Sequence, residues 1–243
     1  KDLIQADNPK MDVQLKPNFG GTTFIFKALQ GGQVDVYPEF TGTVLQSLVK
    51  VKGSISHDKQ TAYKQAKTLI KQQRNLDLLE PMKYENTYGL AVRQADAKRY
   101  HLQTTSDLLR QSAQMTAGFD PDFYKLSDGY PGLKKAYGLN FKNIVQMESS
   151  LRYEALANKQ IDVTDAYTTD PQLKQDHLVT LADDKHFFPP YQGAPLVNDK
   201  TLQKYPGIAK SLNKLSGKIT NQDMIEMNYQ VTVQHKKAAQ VAR

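Results

Sequence analysis

The chain has 243 residues, enough for one large domain or two of ordinary size, and a formal net charge of +7. It contains no cysteine and its five histidines are scattered, which excludes a disulfide framework and argues against a zinc site. No apolar run is long enough to span a membrane. In the densest basic run, residues 50–74, apolar residues recur at helical spacing. We therefore expect the basic residues to lie on the solvent-exposed face of an amphipathic helix rather than to form a nucleic-acid surface.

The first half of the chain predicts a strand, a loop, a helix and a second strand. Residues 11–17, MDVQLKP, alternate apolar and polar side chains, which favours a strand. Residues 18–23 supply glycines and hydroxyl caps for a helix that begins near Phe24 and ends at the glycines 31–32. The short apolar strand VDVY follows, and we expect Pro38 to end it.

The second half repeats this plan residue by residue. Residues 28–43, ALQGGQVDVYPEFTGT, align without a gap on residues 155–170, ALANKQIDVTDAYTTD. A predicted strand at 141–147 and a helix that opens at Glu148 precede the second copy. Strand–helix–strand units of this length favour parallel pairing with a crossover helix, so the sequence predicts two α/β lobes.

Two segments are candidates for strands that cross between the lobes. Residues 78–92 and 186–197 are rich in tyrosine or phenylalanine and contain prolines that oppose helix formation. The predicted first lobe therefore comprises residues 1–89 plus 191–243, with a helical C-terminal part packed back on it. The predicted second lobe comprises residues 90–190.

Four aromatic residues follow from this plan as a candidate site. Ligands of open parallel sheets bind beyond the carboxyl ends of the strands. Phe40 and Tyr167 sit just past such ends at equivalent positions of the repeat, and Tyr88 and Tyr191 lie in the proposed crossovers. A desolvated cation gains roughly 0.5–2 kcal/mol from each aromatic face, and a quaternary ammonium suits such a cage because it cannot hydrogen-bond. The alternative is that these rings are ordinary core residues.

Five motifs stand in a fixed order along the chain: YPEFTGT, YENTYGLAV, DGYPGLKKAYGL, DAYTTD and FFPPYQGAPLV. Together they resemble the substrate-binding proteins of osmoprotectant ABC importers, which bind glycine betaine, carnitine, choline or proline betaine. The resemblance covers nearly the whole chain and implies an α/β, two-lobed type II periplasmic-binding-protein fold with a hinge of two crossover strands. It also implies that the cage aromatics are Phe40, Tyr88, Tyr167 and Tyr191. The family usually has Tyr at position 40, and Phe keeps the ring face without the hydroxyl.

Two departures from the family concern missing groups. The family begins with a strand and a segment that lines the site, and we expect this chain to start after them, inside a longer protein. Betaine binders of this kind often carry an arginine for the carboxylate near Leu126. Here the candidates for a ligand carboxylate or hydroxyl are Thr41, Thr43, Asn86 and the cation Arg152. For Arg152 the alternative is a surface ion pair.

A third departure is Asp165, where many relatives have an apolar residue. It stands two positions before Tyr167, so strand geometry directs both side chains to one face, toward the ligand. A buried carboxylate needs a donor, which trimethylglycine lacks but the N–H groups of ergothioneine or the hydroxyl of choline supply. The pattern is similar to the ergothioneine-binding branch of these importers. The alternatives are that Asp165 caps a turn or pairs with Arg152.

The predicted function is capture of a quaternary ammonium compound and its delivery to an ABC permease subunit on the extracytoplasmic side of the membrane. We expect a monomeric binding domain that is periplasmic, lipid-anchored or fused to its permease, with no cofactor, metal or nucleic acid. No catalytic motif is present, so an enzyme is not predicted. A ligand-sensing receptor domain and an enzyme on the same fold are the alternatives.

Overall fold

The structure is a computed structural model that describes residues 1–17, 22–125 and 129–242, with the backbone alone at residues 149 and 150. The chain forms two compact units. The first unit contains residues 1–85 and 189–220, and the second contains residues 86–188 and 221–243. The chain therefore passes between the units three times, and the first two passages lie close to the predicted boundaries.

Both units contain helices and strands. The helices are α1 (Asp2–Asp7), α2 (Thr22–Gln30), α3 (Thr41–Thr43), α4 (Lys59–Arg74), α5 (Gln94–Tyr100), α6 (Pro121–Lys125), α7 (Tyr130–Tyr137), α8 (Ser149–Ala157), α9 (Gln172–Gln175), α10 (Asp199–Lys204), α11 (Gly207–Leu212), α12 (Asn221–Thr232) and α13 (Ala238–Val241). The strands are β1 (Val36–Phe40), β2 (Leu76–Leu78), β3 (Tyr88–Arg93), β4 (Thr116–Phe119), β5 (Asn143–Gln146), β6 (Val163–Tyr167), β7 (Leu178–Thr180) and β8 (Gly193–Asn198). Across the described residues, none of these helices is both long and apolar enough to span a membrane.

The sheet of the first unit places β8 between β1 and β2, antiparallel to both. Helix α4 packs beside this sheet, begins where the Asp58 side chain accepts the Thr61 N–H at 2.8 Å, and ends at left-handed Asn75. Its fully buried side chains are Ala62, Ala66 and Ile70. Most of its basic residues are exposed, which confirms the prediction that they lie on the solvent-exposed face of the helix.

Strand β1 continues through Pro38 to Phe40, although we expected the proline to end it. Pro38 lies opposite Pro195 in the register with β8. The backbone hydrogen bonds between β1 and β8 are made by the odd-numbered residues of β1 and its flanks: the Asp35 carbonyl accepts the Asn198 N–H, and the Thr41 N–H donates to the Gln192 carbonyl. Position 38 therefore needs no N–H for pairing with β8, and proline is tolerated there.

The alternating segment at residues 11–17 is not a strand. This segment and β1 both line one groove of about 1150 Å³, and in the described part of the chain β1 pairs with β8 alone. Leu15 remains 67% exposed. A segment with alternating apolar and polar side chains forms a strand only where a neighbouring backbone hydrogen-bonds to it. The predicted strand at residues 11–17 was therefore wrong.

The sheet of the second unit runs in the order β5, β4, β6, β3, β7. Strands β5, β4 and β6 are parallel, and α8 is the crossover helix between β5 and β6, as predicted. Strand β3 is antiparallel to β6 and β7. Phe119, Phe123 and Leu133 are buried in the core, where each such side chain contributes roughly 1.5–3 kcal/mol.

The C-terminal residues 221–243 belong to the second unit, which corrects the prediction that they pack on the first. Helix α12 lies against α9, where Glu226 pairs with Lys174 and Ile225 packs on the core. The Asn228 amide donates to the Thr169 carbonyl at 2.9 Å. These contacts are made to residues just after β6. The helical periodicity of the C-terminal residues does not indicate which unit they pack against.

The repeat in the sequence is a repeat in structure. Strands β1 and β6 occupy equivalent positions in the two copies. The helix ends before them are also alike, because Gln33 and Val34 donate to the carbonyl of Ala28, as Gln160 and Ile161 donate to that of Ala155. Phe40 and Tyr167 are the last residues of their strands, as expected.

Candidate functional site

Tyr88 and Tyr167 form a stacked aromatic pair in the second unit. They face each other in the antiparallel register of β3 and β6. Their ring centroids lie 4.8 Å apart with an interplanar angle of 29°, and the Tyr167 hydroxyl donates to the Tyr88 oxygen at 3.0 Å. Both residues are half-buried. The structure therefore brings together two of the four predicted cage residues.

Two further aromatic residues pack against the Tyr88 ring of this pair. The Phe123 and Phe188 rings lie 5.2 Å and 6.0 Å from the Tyr88 ring, centroid to centroid. The Asp183 carboxylate accepts the N–H groups of Phe187 and Phe188 at 3.0 Å and 2.9 Å, which fixes this part of the chain. Both supporting rings are buried, so they hold the tyrosine pair rather than compete with it for a ligand.

Phe40 occupies the equivalent position in the first unit and is also half-buried. Its ring meets Tyr84 edge-on, with centroids 6.2 Å apart. Its backbone N–H donates to the Glu39 carboxylate at 2.8 Å, and the Tyr37 hydroxyl donates to the same carboxylate at 2.9 Å. Glu39 is 3% exposed, and burial raises the pKa of this carboxyl group.

Tyr191 lies at the same end of the first unit's sheet as Phe40. Its hydroxyl donates to the Gln46 side chain at 2.6 Å, and its ring lies directly over Gly42. A Cβ atom at position 42 would come within 2.6 Å of the ring. Gly42 is therefore required for the close approach of this ring, which is a use of glycine that the sequence does not reveal.

The structure gives Thr41 a different role from the predicted one. Its buried hydroxyl donates to the Pro190 carbonyl at 2.8 Å and accepts the Gln192 N–H at 3.1 Å. The one hydroxyl proton is committed to the backbone, so Thr41 holds the segment that carries Tyr191 instead of offering a donor to a ligand. Thr43, two residues further on, is half-buried.

Asn86 belongs to the second unit, where its amide oxygen accepts the Thr169 hydroxyl at 2.7 Å. The adjacent loops are tied by Thr168 N–H to the Thr87 carbonyl at 3.0 Å. The oxygen of Asn86 is thus engaged, and its amide nitrogen is the group that can donate to a ligand carboxylate.

Asp165 pairs with Arg152, one of the two alternatives to a ligand-facing carboxylate. Asp165 is fully buried, its Oδ2 lies 3.3 Å from Arg152 Nη1, and its Oδ1 accepts the Asp120 N–H at 2.9 Å. Arg152 is 2% exposed, so this ion pair is internal and not a surface pair. Burial raises the pKa of Asp165, and the guanidinium opposes that rise.

Several residues of these arrangements were missed in the sequence. Glu39, Asp170, Phe123 and Phe188 touch or hold the predicted aromatics, yet none was assigned a place there. The usable signal was the recurrence of an acidic residue near each copy's aromatic residue, at position 39 and at position 170.

Leu126 falls outside the described residues. Within the described ranges, no cluster of three or more metal-ligating side chains is arranged to hold a metal ion.

Two solved structures define the class of protein to which this fold belongs. A crystal structure of a glycine betaine/carnitine/choline ABC transporter matches with a TM-score of 0.93 at 32% identity, covering 99% of this chain and 88% of that chain. Apo YehZ from Escherichia coli matches with a TM-score of 0.84 at 24% identity, over 99% of this chain and 90% of that one. The fold is that of the periplasmic substrate-binding proteins, which confirms the predicted α/β type II class.

Residues 4–243 match the family model for the substrate binding domain of ABC-type glycine betaine transport systems, and the chain belongs to this family. The ergothioneine transport permease/ergothioneine binding protein EgtU of Helicobacter pylori is 36% identical over 92% of this chain. The carnitine transport binding protein OpuCC of Listeria monocytogenes is 35% identical over the whole chain. This chain spans 40% of the length of the first relative and 79% of the second.

Proposed function

We propose that this chain is the extracytoplasmic substrate-binding part of an ABC importer and that it captures a quaternary ammonium compound in an aromatic cage. The cage residues are Phe40, Tyr88, Tyr167 and Tyr191. The observation that carries the proposal is the half-exposed, stacked pair of Tyr88 and Tyr167 in a member of the glycine betaine transport family.

The chemistry of the rings favours a permanently charged, methylated nitrogen. Each aromatic face attracts a desolvated cation by roughly 0.5–2 kcal/mol, and tyrosine is among the better donors of such a face. A trimethylammonium group has no N–H, so an aromatic surface leaves no donor unpaired. A primary ammonium would leave three donors without acceptors in the same place.

The other end of the ligand requires hydrogen-bond donors. The Asn86 amide nitrogen and the Thr43 hydroxyl are the proposed donors to a ligand carboxylate, since the Thr41 hydroxyl is committed to the backbone. These are neutral groups, so they suit a carboxylate or a hydroxyl.

The proposed substrate class is a trimethylammonium betaine. Relatives of nearly equal identity are named for ergothioneine and for carnitine, and both compounds combine a trimethylammonium group with a carboxylate. The carboxylate of Asp165 no longer favours an N–H ligand because it is paired with Arg152. Delivery to a permease, separate from the chain or fused to it, completes the proposed role, and no catalytic step is assigned.

Calorimetric titration of the chain with glycine betaine, carnitine, choline and ergothioneine tests the proposal. We expect at least one of these ligands to bind with a micromolar or lower Kd. Glycine is the matched control, because it retains the carboxylate and replaces the trimethylammonium by a primary ammonium. Binding of none of the four, or equal binding of glycine and glycine betaine, would contradict the proposed function.

A further inference from the structure

Arg152 lies inside the second unit between two carboxylates. Its Nη1 is 3.3 Å from Asp165 Oδ2, and its Nη2 is 3.7 Å from Asp170 Oδ2. Its guanidinium also lies 5.0 Å from the ring centroid of Tyr153, and burial is nearly complete. Among the described residues, the remaining nitrogen, Nε, has no hydrogen-bond partner.

The first carboxylate secures one support of the tyrosine pair. Asp165 accepts the backbone N–H of Asp120 at 2.9 Å, at the residue that precedes α6. Helix α6 carries Phe123, whose ring packs on Tyr88 at 5.2 Å. Movement of Asp165 would therefore move the start of α6 and the surface on which Tyr88 rests.

The second carboxylate secures the other ring directly. Asp170 Oδ2 accepts the Tyr167 backbone N–H at 3.2 Å, and the Asp170 N–H donates to the Tyr167 carbonyl at 3.1 Å. The Tyr153 hydroxyl donates to the same carboxylate oxygen. Asp170 thus closes the turn after β6 and sets the position of the Tyr167 backbone.

We infer that Arg152 is a positioning residue, which holds Tyr88 and Tyr167 in register by neutralising the two carboxylates that anchor their surroundings. Without this cation, the buried carboxylate of Asp165 and the half-buried carboxylate of Asp170 would repel each other, and the charge of Asp165 would stay uncompensated. The inference rests on the proposed function, because it concerns the ring pair assigned to the ligand. It replaces the expectation that Arg152 meets the ligand carboxylate.

Titrations of Arg152→Gln with glycine betaine and with choline separate the two roles, since choline has no carboxylate. A positioning role predicts that both ligands bind more weakly by a similar factor, about tenfold for a contact network of this kind. A loss at least ten times larger for glycine betaine than for choline would show direct contact and overturn the inference. An unchanged affinity for both would also overturn it.

A second readout needs no ligand. In NMR spectra of tyrosine-labelled protein, we expect Arg152→Gln to shift or broaden the ring signals of Tyr88 and Tyr167. Arg93→Met is the matched control, because Arg93 pairs with Asp96 and Asp162 at the opposite end of β3. That variant should lose stability without changing affinity or those ring signals, and equal disturbance by both variants would overturn the inference.

A double variant protects the test against simple misfolding. Arg152→Gln/Asp165→Asn removes the charge of the fully buried carboxylate together with the cation, so we expect it to recover stability and at least threefold in affinity over Arg152→Gln. No recovery in a folded double variant would contradict the positioning role. If the unmodified chain binds none of the ligands, the proposed function fails, whereas the ring signals still decide the role of Arg152.

Discussion

The two copies of the repeat place an aromatic residue at the same backbone position and hold it in different ways. In the first copy, the Phe40 N–H donates to Glu39, the residue immediately before it. In the second copy, the Tyr167 N–H donates to Asp170, three residues after it. The backbone plan is therefore shared, whereas the carboxylate that fixes the ring comes from a different position in each copy.

The surroundings of the two strands explain this difference. Strand β1 pairs with β8, and Glu39 is satisfied by hydrogen bonds from Tyr37 and from the backbone. Strand β6 lies between β3 and β4, and its buried acid Asp165 faces Arg152. Both acids are buried, but hydrogen bonds satisfy Glu39 whereas an internal cation compensates Asp165.

The largest expected effect on ligand affinity comes from removing the ring of Tyr167, and it should exceed the effect of removing the ring of Phe40. Tyr167→Ala should weaken ligand binding by about 1–3 kcal/mol, because it removes one cation-facing ring and the partner that stacks on Tyr88. Phe40→Ala should cost less, since Phe40 only meets Tyr84 edge-on. Calorimetry measures both, with the surface residue variant Tyr205→Ala as control. An unchanged affinity of Tyr167→Ala would remove the cage assignment.

The next effect concerns Gly42, which corresponds to Thr169 in the second copy. Gly42→Ala should weaken binding by about 1–2 kcal/mol, because its Cβ would displace the Tyr191 ring. Gly207→Ala is the matched control, since the nearest atom to a Cβ there is at 3.4 Å. Titration and thermal unfolding of both variants check the prediction, and equal affinities would mean that Tyr191 does not contact the ligand.

A smaller effect concerns the carboxylate of the first copy. Burial raises the pKa of Glu39 above its ordinary value of 4.5, so the unfolded chain loses this proton at a lower pH than the folded chain. Glu39 therefore lowers stability as pH rises from about 4.5 through its folded pKa. Glu39→Gln should remove this dependence and gain about 1 kcal/mol at neutral pH.

Denaturant unfolding of Glu39→Gln and the unmodified chain between pH 4 and pH 8 measures this effect. Glu154→Gln changes the same group on the exposed side of α8 and is the control. Parallel stability curves for the unmodified chain and Glu39→Gln would show that Glu39 does not titrate as its burial implies.

The smallest effect is expected for Phe40→Tyr, which gives both copies the same aromatic residue. The added hydroxyl leaves the ring face in place, so affinity should change by less than about 0.5 kcal/mol. Calorimetry with the best ligand of the panel checks this. A tenfold change would indicate that a hydroxyl at position 40 reaches the ligand or a donor beside it.

Much of the fold was predictable because it depends on neighbours in the sequence. Helices α2, α4 and α8 and strands β5 and β6 follow apolar periodicity, caps and turns. The alignment of the two copies correctly placed Phe40 and Tyr167 at the ends of their strands. Periodicity also suggested a strand at residues 11–17, but this segment is not a strand, because no described backbone pairs with it.

By itself, then, the sequence determined the repeated strand–helix–strand plan, the aromatic positions and the family, because short-range patterns encode all three. Only the tertiary structure decided that Thr41 bonds the backbone near Pro190, that Asp165 meets Arg152, and that residues 221–243 join the second unit. The physical reason is that a polar side chain takes whichever partner the folded chain brings within about 3 Å, and those partners are distant in sequence.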